Sequence, residues 1–267
     1  MTAAADGPPP WPTWMQQVAD VVATATRSQL SPWQLPQDGS TRQAAVLLLF
    51  GPGQGGTGDV LLIERAATMR SHAGQVAFPG GAVDPEDAGP QAAALREAWE
   101  ETGLDPAGVD VVGSLPPLYL PPSRFEVTPV VGWWRQPSAV HARAVDEVAR
   151  VVQVPLPELL DPANRFSTRL AVGDVGPGFE ASGLFVWGFT ALLLARVLQL
   201  AGLEQPWDEG LRREVPGAQM LASLRSAPPS PTDAGAPVTA DPARGDGAVA
   251  SRAQGAVPSG ADGGVPS

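Results

Sequence analysis

Apolar residues fall into short runs and periodic stretches that Gly and Pro clusters separate, and the pattern predicts alternating helices and strands. From Trp14 to about Arg27 one helical face carries Met15, Val18, Val21 and Val22. Ala44–Phe50 is an unbroken apolar run that predicts a buried strand, Gly51–Gly58 a turn, and Asp59–Glu64 a second strand completing a hairpin. Pro90 to Thr102 predicts a helix, with Pro90 suited to its first position and Gly103 to its stop. Val109–Leu118, Phe125–Trp134 and Val148–Val154 read as strands, and a short helix is expected at Glu158–Leu160. Leu184–Trp187 reads as a strand and Gly188–Leu203 as an apolar helix packed on the sheet. Beyond about Pro216 the pattern fades. Residues 226–267 hold almost only Ala, Pro, Ser, Gly, Asp, Thr and Val and no aromatic residue, which predicts a disordered C-terminal tail. The expected organisation is an N-terminal extension with one helix (1–35), a folded domain (36–215) and the tail (216–267).

Composition narrows the chemistry. The chain has 267 residues, with 30 Gly and 30 Pro. All 17 basic residues are Arg, a bias we ascribe to base composition and not to chemistry. A net charge of −11 disfavours nucleic-acid partners. Cys is absent and His occurs only at His72 and His141, which excludes thiolate chemistry and a multi-His metal site within the chain. Any metal must be held by carboxylates, which suits Mg2+ or Mn2+. Met1–Asp6 has no basic residue and no apolar run follows it, and no segment reaches the ~18 apolar residues of a membrane span. A cytoplasmic protein without a membrane partner is expected.

Within the Pro90–Thr102 helix, Glu97, Glu100 and Glu101 are spaced i, i+3 and i+4 and so share one face. Leu95, Ala98, Trp99 and Thr102 are expected on the opposite, core-facing side, while the small Ala93 and Ala94 border the carboxylates and leave room for ions. Like charges at this spacing repel, and divalent cations would relieve the repulsion. A solvated acidic face remains open on geometry alone.

The context is more specific. Upstream stand Phe78-Pro79-Gly80-Gly81 and Asp84-Pro85-Glu86-Asp87, and the helix reads Arg96-Glu97-Ala98-Trp99-Glu100-Glu101-Thr102-Gly103-Leu104. Together these resemble the Nudix box, G-x5-E-x7-R-E-U-x-E-E-x-G-U with U aliphatic. The first half departs from it: one extra residue separates Gly81 from Arg96, and Asp87 replaces a Glu. Both departures resemble the coenzyme A pyrophosphatase subfamily. So does the preceding stretch, in which Leu61, Leu62, Arg65, Ala66, Arg70, Gly74 and Phe78–Gly81 match L-L-T-x-R-[SA]-x3-R-x3-G-x3-F-P-G-G, with Ile63 in place of Thr. The resemblance spans roughly residues 40–205.

It implies an α/β fold, an α/β/α sandwich around a mixed sheet, and metal-dependent hydrolysis of a coenzyme A-like small molecule. Glu97, Glu100 and Glu101 would hold Mg2+ or Mn2+. Glu100 or Glu147 would serve as general base, Glu147 being the extra Glu that such enzymes recruit from outside the box, or else a surface residue opening a strand. Arg96 would fix a box carboxylate. Arg65 and Arg70 either contact phosphate oxygens or pair locally with Glu64 or Asp84; Phe78, Gly80 and Gly81 complete the expected substrate contacts. His72 is assigned to a surface loop. Other nucleoside diphosphate derivatives, such as ADP-ribose or NADH, are the alternative substrates. A non-catalytic nucleotide sensor is the reading from a different class, disfavoured because all three helix Glu residues are present. Homodimerisation is compatible with the resemblance.

Overall fold

A computed structural model describes residues 11–36, 39–69, 72–121, 123–170, 173–217 and 219. Of the expected tail (216–267), residues 218 and 220–267 lie outside the described residues. Gln219, by contrast, accepts the Trp187 indole N–H and donates to the Gly74 carbonyl, both at 2.7 Å, so the folded part runs slightly beyond the expected boundary. Two helices, α1 (Thr13–Thr24) and α2 (Arg27–Leu30), precede strands β1 (Arg42–Gly51), β2 (Asp59–Arg65), β3 (Val76–Ala77) and β4 (Gly80–Ala82). Helix α3 (Pro90–Thr102) leads to β5 (Val109–Ser114), β6 (Leu118–Leu120), β7 (Phe125–Trp134) and β8 (Val148–Pro155). Then follow α4 (Leu156–Leu160), β9 (Arg165–Leu170), β10 (Gly173–Ala181), β11 (Leu184–Val186), α5 (Gly188–Leu200) and β12 (Arg212–Glu214).

The main sheet is mixed, with the order β3-β2-β1-β7-β5; β4 pairs with β1, β6 with β7 and β8 with β2. The expected β1–β2 hairpin is a limited one: only Phe50↔Val60 and Gly51↔Asp59 are paired. Beyond that point β1 runs parallel to β7 over nine residue pairs, from Arg42↔Phe125 to Phe50↔Trp133, and receives β4 on its other edge. The two strands therefore diverge, and the cleft described below opens where they part. A second sheet, β11-β10-β9-β12, was not foreseen apart from β11. Its strands carry Gly, Pro and charged residues that blur the alternation on which strand prediction depends.

Side-chain alternation sorts the apolar run of β1 to two cores. Leu48 and Phe50 join Met15, Val18 and Val21 of α1 and Leu193, Leu194, Val197 and Leu198 of α5. Ala45, Leu47 and Leu49 join Ala93, Ala94 and Ala98 of α3. This is the expected α/β/α sandwich, and α1 is built into its first core. Among the described residues no helix is long and apolar enough to cross a membrane.

Candidate functional site

Helix α3 begins at Pro90 and ends at Gly103, whose φ of 71° is left-handed and whose N–H donates to the Trp99 carbonyl at 2.9 Å. It lies on β1 and β4 through its alanines. Here the expectation from helical spacing needs correction. Ala93 and Ala94 do not border an open carboxylate face; both are fully buried with Ala98. Trp99 is not a core residue but 43% exposed, and Leu95 is only partly buried. The face that packs is rotated toward the alanines because only methyl groups let the helix come close to the strands. That rotation carries Glu101 inward, to 3% exposure.

Beneath Glu97 and Glu101 run the two glycines of β4, paired with Val46 and Ala45 of β1. A Cβ on Gly80 would lie 2.3 Å from the Ala45 carbonyl oxygen, and one on Gly81 2.5 Å from the Glu97 carboxyl group. Gly80 has no space for a side chain against the β1 backbone, and a side chain at Gly81 would push the Glu97 carboxyl from its place. In return the Gly80 N–H donates to Glu101 Oε2 at 2.9 Å. Arg65, at the end of β2, places Nη1 3.9 Å from Glu101 Oε1. Burial nevertheless raises the Glu101 carboxyl to about 7, opposed by the Gly80 N–H and Arg65 and reinforced by Glu97 and Glu147. Burial also raises Glu97, against the hydrogen bond from Arg96.

Arg96 binds the carboxylates around it. Its Nε and Nη2 donate to Asp87 Oδ1 and Oδ2 at 3.0 and 2.9 Å, and Nη2 donates to the Ala82 carbonyl at 3.0 Å. Its Nη1 donates to Glu97 Oε1 at 3.0 Å and to Glu100 Oε2 at 3.2 Å. The two-pronged contact holds the Asp87 carboxyl below its usual range and Arg96 above its own. Asp87 also accepts the Asp84 N–H at 2.9 Å. The unusual spacing before Arg96 thus brings in Asp87 as a clamp on the arginine, a role the sequence did not reveal.

Arg65, Gly80, Gly81, Ala82, Asp84, Arg96, Glu97, Glu100, Glu101, Ala144 and Glu147 line one cleft of about 410 Å3. Glu147, 46 residues beyond Glu101 in the chain, is close enough to Glu97 and Glu101 to raise both. Its carboxylate makes no hydrogen bond or ion pair among the described residues. The structure therefore brings together Arg65, Gly80, Gly81, Arg96, Glu97, Glu100, Glu101 and Glu147. Phe78 is a correction: it is 2% exposed and packs in the core with Val76 and α5, so it supports the Gly-Gly strand from behind and offers no ligand surface. Arg70 lies outside the described residues. His72 sits in the β2–β3 connection, with Nδ1 3.0 Å from Gln75 Oε1, and does not line the cleft.

Among the described residues no three acidic or histidine side chains are already gathered into a metal cage. The donor set still suits a hard divalent cation: only oxygen ligands are present, and Glu101 is buried with less positive charge than its ionised form needs. Glu97, Glu100, Glu101 and Glu147 all line the cleft and can contribute to that role. Glu101 is the buried one, Arg96 engages both Glu97 and Glu100, and Glu147 carries no ion pair among the described residues.

The NUDIX domain family matches residues 40–170. A protein named uncharacterized Nudix hydrolase NudL, from Cronobacter sakazakii (strain ATCC BAA-894), is 52% identical over 136 residues, covering 50% of this chain and 66% of that protein, just under two thirds. One of the same name from Salmonella newport (strain SL254) is 42% identical over 170 residues, covering 61% of this chain and 84% of the relative. Among solved structures, a Nudix hydrolase from M. smegmatis, RenU, is similar with a TM-score of 0.42 at 22% identity, covering 60% of this chain and 86% of that one.

Proposed function

The chain belongs to the Nudix hydrolase family, and from that premise we propose that it is a metal-dependent diphosphatase acting on coenzyme A or its derivatives. Water would add across the diphosphate P–O–P bond, giving 4′-phosphopantetheine, or its acyl form, and adenosine 3′,5′-bisphosphate. The observation that carries this reading is Arg65, the first arginine of the stretch preceding the box, lining the same cleft as the box carboxylates.

Glu97, Glu100 and Glu101 are the residues that would hold Mg2+ or Mn2+, with Glu147 facing them across the cleft. Such ions neutralise and orient a diphosphate and lower the pKa of a bound water. Arg65, which lines the cleft with part of its guanidinium exposed, would contact phosphate oxygens. Gly80 and Gly81 let ligand approach the backbone closely. Arg96 keeps Glu97 and Glu100 in place and is itself held by Asp87. Of the two candidate bases, Glu147 is the better placed to accept the proton of the attacking water, because Arg96 already engages Glu100.

The test is a product assay with coenzyme A, ADP-ribose and NADH side by side in Mg2+ or Mn2+. Coenzyme A should be cleaved fastest, to the two products named. Turnover of ADP-ribose or NADH far above coenzyme A would overturn the substrate reading.

A further inference from the structure

Glu147 reaches the cleft from the segment joining β7 to β8, and the box does not explain what holds that segment. It docks on the last turn of α3, where backbone carbonyls lack helical donors. The Arg143 N–H donates to the Glu101 carbonyl and the His141 N–H to the Thr102 carbonyl, both at 3.0 Å. The Arg143 guanidinium carbon stands 3.7 Å from the centroid of the Trp99 ring, and Nη1 donates to the Trp99 carbonyl at 3.5 Å. This accounts for an indole left 43% exposed on a helix whose buried side is alanine. The segment then turns sharply: the Ala144 carbonyl accepts the N–H groups of Glu147 and Val148 at 2.8 Å. The Glu147 carbonyl accepts the Ala66 N–H, also at 2.8 Å, next to Arg65. Contacts thus run without a break from Trp99 through Arg143 and Ala144 to Glu147. A cation at this helix end also opposes the macrodipole and the surplus of carboxylates.

We propose that Arg143, clamped on Trp99, is a positioning residue that holds the Glu147 carboxylate against Glu97 and Glu101. The proposal rests on the reading of Glu147 as a working residue of the cleft. A double-mutant cycle of Arg143→Ala with Glu147→Gln tests it, read on coenzyme A hydrolysis in Mg2+ and on Mn2+ affinity by calorimetry. Amide exchange at His141 and Arg143 is followed in parallel. Arg143→Ala should lower kcat about tenfold with little change in KM, less than the roughly hundredfold that a full-ångström displacement of a working group can cost, because the backbone hydrogen bonds to α3 remain. In the Glu147→Gln background it should have no further effect on turnover or Mn2+ affinity. The two amides should exchange faster, and Trp99→Phe, which keeps a ring, should retain what Trp99→Ala loses. A slow Glu147→Gln beside an unaffected Arg143→Ala, or losses that simply multiply, would sink the clamp alone. Glu147→Gln with unchanged turnover and unchanged Mn2+ affinity would sink the reading of Glu147 and the clamp with it.

Discussion

The two sides of the main sheet are covered in opposite ways. On one side, α5 supplies Leu193, Leu194, Val197 and Leu198, all fully buried, with Met15 and Val18 of α1 beside them. On the other, α3 supplies Ala93, Ala94 and Ala98 and, one turn on, the buried Glu101. Large apolar side chains stabilise by roughly 1.5–3 kcal/mol each when fully buried, whereas alanine contributes little. The first side therefore carries the stability. The second gives up apolar area so that a helix backbone can approach β4 and hold carboxylates over two glycines. The difference teaches that the functional helix is held close by what its residues lack.

Substitutions on each side should break this contrast to different degrees. Glu101→Gln, on the thin side, should have the largest effect: a loss of turnover on the order of a thousandfold, as several kcal/mol of transition-state stabilisation disappears. The metal-free protein should melt no lower than wild type at pH 8, because a carboxyl that resists ionisation has been replaced by a neutral amide. Leu194→Ala, on the thick side, should cost about 2–5 kcal/mol in chemical denaturation while leaving kcat near wild type. Ala94→Leu should cost about 1–3 kcal/mol by overpacking and, unlike Leu194→Ala, should also slow turnover by lifting α3 from β4. A large kcat loss in Leu194→Ala, or none in Ala94→Leu, would erase the contrast.

The smallest effect expected is one of pH. Glu101 is raised from the ordinary 4.5 to about 7 in the folded protein. Its contribution to stability is therefore complete below pH 4.5 and is lost as pH rises through 7. The metal-free protein should melt roughly 4 °C lower at pH 8 than at pH 5.5, and Glu101→Gln should flatten that dependence. Asp87 is shifted the other way, and its contribution is lost only on further acidification, outside this window. A melting temperature independent of pH in the wild type would show that the Glu101 carboxyl is not strained by burial.

The long strands β1, β2, β7 and β8 and the bounds of α3 were legible because their signals are local: an apolar run, or a Pro start and a Gly stop. The box carboxylates were legible for the same reason, being three positions on one helix. The two- and three-residue strands β3 and β4 carry no apolar run and were missed, and β5 and β6 were read as one strand. Trp99 was misread because amphipathic reasoning sends an indole to the core, and here a cation-π partner from another segment holds it outside. Phe78 was misread because a motif does not tell which of its members touch ligand and which support the backbone from behind. Asp87 was noted as a departure in spacing, but its grip on Arg96 exists only once the loop is folded. Arg143 carried no signal at all, since its partners lie about 40 residues earlier in the chain.

Glu97, Glu100 and the buried Glu101 of α3, together with Glu147, are proposed to form a site for divalent cations. Calorimetric titration of Mn2+ into the wild type and Glu101→Gln at pH 8 and pH 5.5 tests it most directly. The wild type should bind at pH 8 and more weakly at pH 5.5, where Glu101 keeps its proton. Glu101→Gln should bind weakly at both. Binding of equal strength in the two proteins, or unchanged by pH in the wild type, would contradict the account.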